Sequence, residues 1–204
     1  RKRQERWAVS DSAVHYGADI MNSVSIATEW RPESNFLEES QSFTASTARV
    51  SVKLLAPFVA AAQGLGLRVD VGLAGVGLSR SDLENPDLRV SHALVDRMLR
   101  GALTQSGERD LGLLAAEQLQ PDHLDIVEYA ARAQSTLRGA IEHSIRYYAL
   151  LHDGFEADLQ IMDDRAVLSV GFGSLPVAEC TLEFVLAVHL MAARRMTGLA
   201  ALAP

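Results

Sequence analysis

The 204-residue chain is poor in cysteine, in basic charge and in long apolar runs. Cys180 is its one cysteine, so it can form no internal disulfide and no four-cysteine zinc site. Such usage suits a reducing, cytoplasmic setting. Lys and Arg total 19 against 26 Asp and Glu, a net charge of −7. An acidic chain lacks the basic face that phosphate contacts need, so this segment by itself is not read as a nucleic-acid binder. The longest apolar stretch without charge runs from Leu54 to Leu67 and contains Pro57 and two glycines. That is short of the ~20 residues of a membrane span, so no membrane partner is expected. The chain begins Arg-Lys-Arg with no signal-like apolar run behind it, which reads as part of a longer sequence.

Enzyme signatures are missing too. There is no GxSxG elbow, HExxH pair or P-loop. Gly171-Phe172-Gly173 resembles a dinucleotide loop only superficially, since Pro176 stands where the third glycine belongs and no βαβ unit surrounds it. No two of the six histidines, nor a histidine with Cys180, have metal-ligand spacing within a helix. The chain is therefore read as a non-enzyme without metal or cofactor. Cys180 reads as a packing residue near a helix start; a reactive, low-pKa thiol is the competing reading.

What is present is helical periodicity. Segment 50–63 carries Val52, Leu54, Leu55, Phe58, Val59 and Ala62 at helical spacing and ends at Gly64 and Gly66. A short helix is predicted over 69–75, then a variant capping box at Ser79 and Asp82 and a turn at Asn85-Pro86-Asp87. Ser91 is a plausible N-cap for a helix presenting Leu94, Val95, Met98, Leu99 and Ala102. Further helices are predicted over 109–118, from Pro121-Asp122 to about 133, and from Ser135 or Thr136 to near Leu151. The period then changes from 3.6 to 2. Phe155, Ala157, Leu159 and Ile161 alternate with polar residues, Asp163-Asp164 makes a turn, and Val167, Leu168, Val170 and Phe172 follow, a β-hairpin pattern. A final helix is predicted over 178–197, with Arg194 and Arg195 at its negative end and Gly198 after it. The fold expected is α+β and predominantly helical, with the hairpin between the last two long helices and a further strand contributed from the N-terminal arm. Within that arm Trp7, Val14, Ile20, Val24 and Ile26 are scattered apolar anchors, and the Ser-, Thr- and Glu-rich stretch Glu29–Ala48 reads as a loop.

Two helices carry polar residues on apolar stripes. Over 136–151 the stripe is Leu137, Ile141, Ser144, Ile145 and Tyr148, continuing to His152, while Glu142 and Arg146 look like a solvated pair. A buried phenol or imidazole needs a hydrogen-bond partner, either nearby backbone or a ligand. The ligand reading takes Tyr148 and His152, with Arg146, Tyr147 and Tyr129 beside them, around the gap left by the break at Asp153-Gly154. The last helix has a stripe of Leu182, Val185, Leu186, Leu190, Ala193 and Met196, with His189 on it. It is read as buried along Leu182, Leu186, Leu190 and Ala193. Leu182, Leu186, His189 and Leu190 make a packed interface in one reading and a homodimer seam in the other.

The order of these elements resembles the N-terminal effector-binding domain of AraC/XylS-type transcription regulators, in particular the arabinose-binding-domain subgroup. Three segments carry the resemblance: LSRSDLENPDLRVSHALVDRML (Leu78–Leu99), DLGLLAAEQLQPDHLDIVEYA (Asp110–Ala130), and the helix with hairpin from Thr136 to Phe172. It extends over about Val50 to Gly198. It implies an effector-sensing domain at 49–204, C-terminally truncated, preceded by a partly irregular arm at 1–48. The family's two helix-turn-helix motifs are not in this sequence. The resemblance thus implies a small-molecule effector as partner and contact with DNA only through the missing C-terminal domain. A dimerisation or protein-interaction module without an effector is the alternative.

Overall fold

The computed structural model describes residues 23–26, 48–121, 123–162 and 165–198. The anchors Trp7, Val14 and Ile20, the loop from Glu29 up to residue 47, Asp122 and the Asp163-Asp164 turn lie outside the described residues. The fold is α+β and mostly helical. Strand β1 (Ser23–Ile26) is followed by β2 (Arg49–Ser51), α1 (Val52–Gly64), α2 (Val69–Ala74), a 3₁₀ turn (Arg80–Glu84), β3 (Arg89–Ser91), α3 (His92–Ser106), α4 (Leu111–Glu117), α5 (Ile126–Arg132), α6 (Leu137–Tyr148), β4 (Glu156–Met162), β5 (Arg165–Gly171) and α7 (Glu179–Thr197).

The hairpin β4–β5 pairs from Glu156 with Gly171 to Met162 with Arg165, so the alternating run does form strands. Strand β1 adds to the free side of β5 in parallel, Ser23 opposite Arg165, giving the order β1-β5-β4. This is the additional strand expected from the N-terminal segment.

The second sheet was not foreseen. Arg49–Ser51 and Arg89–Ser91, both Arg-Val-Ser, pair antiparallel with Val50 opposite Val90. Each triplet leads straight into a helix. Helix α1 therefore begins at Val52 rather than at 50, where the Ser51 hydroxyl accepts from Lys53 N–H at 3.3 Å. Ser91 also occupies an N-cap position, but its side chain makes no capping bond. At the 3₁₀ turn the Asp82 carboxylate accepts from both Ser79 N–H at 2.7 Å and Ser79 Oγ at 2.6 Å, which pulls the Asp82 pKa down.

The core is assembled from all seven described helices and the ends of the hairpin. Leu55, Leu73, Leu111, Phe184 and Val185 are among its fully buried side chains. Phe58 of α1 meets Phe184 of α7 with ring centroids 4.9 Å apart. Helices α4 and α7 pack tightly at Gly112, where a Cβ would lie 2.2 Å from the Cys180 carbonyl oxygen. Cys180 itself is buried, and burial pushes its thiol pKa up to about 12, so the packing reading applies.

Three sequence expectations need correction. Helix α6 ends at Tyr148, so His152 lies on the turn that follows and not on the helical stripe. Glu142 pairs with Arg138, Nε to Oε1 at 2.8 Å, and not with Arg146. The buried face of α7 is Cys180, Phe184, Val185 and Val188, whereas Leu182, Leu186, Leu190 and Ala193 are only half-buried. Both rows of α7 are apolar, so periodicity could not select between them.

Candidate functional site

The turn Leu150–Gly154 is added to the β2–β3 ribbon like a third strand. Ser51 N–H donates to Leu151 O at 2.7 Å, Asp153 N–H donates to Arg49 O at 3.0 Å, and Val50 bridges His152. Arg89 clasps the same turn from β3. Its guanidinium donates to Leu150 O at 3.1 Å, Arg49 O at 3.2 Å and Asp153 Oδ1 at 2.7 Å. Asp153 Oδ2 in turn accepts from Arg49 N–H at 2.8 Å. A residue 60 positions after His92 is thereby held directly beside it.

His92, at the first turn of α3, and His152 are each 3% exposed. Their contacts define both tautomers. His152 Nδ1 lies 3.0 Å from Gly154 N–H and must accept. His152 Nε2 therefore carries the proton and donates to His92 Nδ1 at 3.1 Å. His92 Nε2 then carries the other proton and donates to Pro176 O at 2.8 Å. The chain of bonds runs from Gly154 through both rings to the segment leading into α7. It works only with both imidazoles neutral, since one more proton would bring two N–H donors face to face. Burial, reinforced by His92, pushes the His152 pKa down to about 4.

Tyr148, one turn back, is 2% exposed. Its ring packs on Phe155 with centroids 4.1 Å apart and lies 6.3 Å from the His189 ring. Its hydroxyl is buried and has no hydrogen-bond partner among the described residues. Burial raises the phenol pKa well above its ordinary value, so the hydroxyl keeps its proton and remains a donor. Tyr148, His152 and His92 line a cavity of about 30 Å³ with Val50, Leu54, Phe58, Val95, Leu99, Phe172, Phe184 and Val185. Asp96 and Thr181 complete the polar part of its wall. Asp96 Oδ2 accepts from Arg100 Nε at 2.8 Å, while Asp96 Oδ1 is buried and unpartnered among the described residues. A second, more open cleft of about 290 Å³ lies at Asp153-Gly154, between that turn, Ala48 and the Phe172–Leu175 segment that follows the hairpin. Phe172 lines both spaces.

The structure thus brings together Tyr148 and His152 but not their three expected neighbours. Arg146 is exposed, and Tyr129 is 68% exposed on α5. Tyr147 is half-buried and packs on the core without lining the cavity. His189 is half-buried by surface area, with Nδ1–H donating to Val185 O at 2.8 Å, and desolvation lowers its pKa. The sequence reading missed His92, Asp96 and Arg89. The repeated Arg-Val-Ser triplet was the available signal, because it pairs β3, which holds Arg89 and leads into His92, with β2, the strand that the turn lies against. Among the described residues no three His, Cys, Asp or Glu side chains are grouped to hold a metal ion. No described helix is long and apolar enough to cross a membrane.

An ornithine utilization regulator of Pseudomonas aeruginosa is 30% identical over 86 residues, which cover 42% of this chain and 25% of that protein. The aligned part is thus a quarter of that regulator's length. The family described as the arabinose-binding domain of AraC transcription regulators, N-terminal, matches residues 66–204, which include His92, Tyr148, His152 and the whole of α7. Since that match takes in well over half of the sequence, the chain belongs to the family of AraC-type regulator arabinose-binding domains.

Proposed function

We propose that this chain is the effector-sensing part of a cytoplasmic transcription regulator, with 49–204 the sensor and 1–48 an arm. A small molecule binds in the cavity beside Tyr148 and controls DNA-binding domains carried elsewhere in the regulator, without catalysis. The observation that carries this reading is the Tyr148 hydroxyl. A buried donor with no protein partner is costly in a structural core and useful in a binding site. The cavity touches α1, α3, α7 and the α6–β4 turn, so a ligand there acts on all four. Signalling follows if the effector binds one arrangement of these elements more tightly than another. The test is a reporter assay of the full-length regulator carrying Tyr148→Phe. Loss of the effector response at unchanged protein level is expected. A normal response in this variant would refute the site.

A homodimer is a second reading, supported by the half-buried apolar row Leu182, Leu186, His189 and Leu190 on α7. As a seam, the row predicts that Leu186→Glu leaves a folded monomer, because a carboxylate without a partner resists desolvation. Sedimentation equilibrium decides. A folded variant with unchanged association refutes the seam.

A further inference from the structure

The unpartnered polar atoms of the residues that line the cavity specify a ligand class, provided that the cavity is the sensing site as proposed above. His92 and His152 have no hydrogen-bonding capacity to spare in the tautomers their contacts require, since each ring nitrogen is already engaged. Two buried polar atoms remain on the lining residues. One is a donor, the Tyr148 hydroxyl; the other is an acceptor, Asp96 Oδ1. The rest of the wall is aliphatic and aromatic apart from Thr181.

We propose that the cavity takes a small uncharged molecule, largely apolar, with a single polar head that both donates and accepts: an alcohol or a primary amide. Its head accepts from Tyr148 and donates to Asp96, and its body lies among Leu54, Phe58, Val95, Leu99 and Phe184. Other classes fit this wall less well. A carboxylate faces the Asp96 carboxylate at close quarters. An ammonium can donate to Asp96 Oδ1 and to the Tyr148 oxygen, but it leaves the Tyr148 O–H proton without an acceptor and must shed its water among apolar side chains. A pentose brings several hydroxyls to a wall with two buried unpartnered polar atoms and one threonine hydroxyl, and each hydroxyl buried without a partner costs affinity. The domain's family takes its name from arabinose, and for this chain the lining argues against a sugar.

Size points the same way. About 30 Å³ is room for roughly two waters, since one occupies ~10–15 Å³ on this measure. A head group of two or three heavy atoms fits as the cavity stands. Phe172 is the wall shared with the 290 Å³ cleft, so displacing its ring is the direct way to admit a longer body.

The experiment is an amide-shift NMR titration of the 204-residue chain with 1-propanol, propionamide, propylamine, propionate and L-arabinose. Saturable shifts at residues 92–99 and 148–154 are expected with propanol and propionamide alone. Tyr148→Phe should weaken that binding about tenfold, the effect of losing one hydrogen bond. This variant removes no hydrogen bond among the described residues, so it stays folded. Saturable, Tyr148-dependent binding of propylamine, propionate or arabinose in place of the alcohol and amide overturns the ligand class and leaves the sensing site intact. If no probe shifts these amides saturably, the cavity is a solvent pocket for this class and the proposal fails. The reporter assay then judges the sensing role separately.

Discussion

His152→Leu should cost much stability and Tyr148→Phe little or none, although both residues are almost fully buried and lie within one turn of each other. In His152→Leu the volume is roughly kept and the apolar burial rises a little. The Gly154 N–H and His92 Nδ1, now 3.0 and 3.1 Å from His152, lose their partners. A buried polar group left unpaired costs about 1–3 kcal/mol, so two of them cost about 2–6 kcal/mol. The relaxed turn can recover part of this by exposing Gly154 to water, which favours the lower half of that range. Against a typical stability of about 5–15 kcal/mol, this is a large loss. Tyr148→Phe deletes a hydroxyl that no described residue satisfies, so stability should stay within about 1 kcal/mol of the parent or rise. Urea unfolding of both variants followed by circular dichroism, with m unchanged, measures the difference. Equal losses in the two variants would refute the reasoning, for they would mean that the Tyr148 hydroxyl is bonded within the protein.

Acid should weaken the fold through the same turn. His152 titrates near 4 when folded against about 6.5 unfolded, so the unfolded state takes up the proton first. The neutral-pair stability is therefore complete above about pH 6.5, falls as pH drops from there to about 4, and totals roughly 3 kcal/mol. His189 shifts in the same direction. Thermal unfolding across that window should show the slope, and His152→Leu should reduce it; equal slopes would contradict the assignment. Gly112→Ala places a Cβ 2.2 Å from the Cys180 carbonyl oxygen, a backbone contact that no rotamer can relieve. Prying α4 from α7 should cost about 1–3 kcal/mol, and an unchanged urea midpoint would show that the two helices slide apart freely. Cys180, buried with its pKa near 12, should react with Ellman's reagent only on unfolding, and rapid labelling of native protein would show the helix start to be open.

Local rules were sufficient for much of the architecture. Apolar spacing located α1, α3, α6 and α7, and the switch to alternation at Phe155 located the hairpin, because a side chain's direction in a helix or strand depends on its own position in the chain. The Gly198 stop and the two arginines before it were legible for the same reason, as helix-end chemistry acts within one turn. The three-residue strands were not legible. Arg-Val-Ser is too short to show a period, and its pairing depends on a second copy 40 residues away.

The candidate site divides along the same line. Tyr148 and His152 stood out in the sequence as polar groups beside an apolar stripe, and that much follows from spacing. Which of them is structural depends on partners distant in the chain: His92 lies 60 residues before His152, and Pro176 lies 84 residues after His92. With those contacts His152 is bonded on both nitrogens, while Tyr148 is bonded to nothing among the described residues. Helix α7 shows the same limit. Its Leu182 and Phe184 rows are equally apolar in sequence, and the second is inside because Phe58 of α1 stands opposite Phe184. Periodicity tells which residues share a face. Which face is buried, and which buried polar group is left unpaired, depends on what other parts of the chain pack against it, and those partners leave no mark on local spacing.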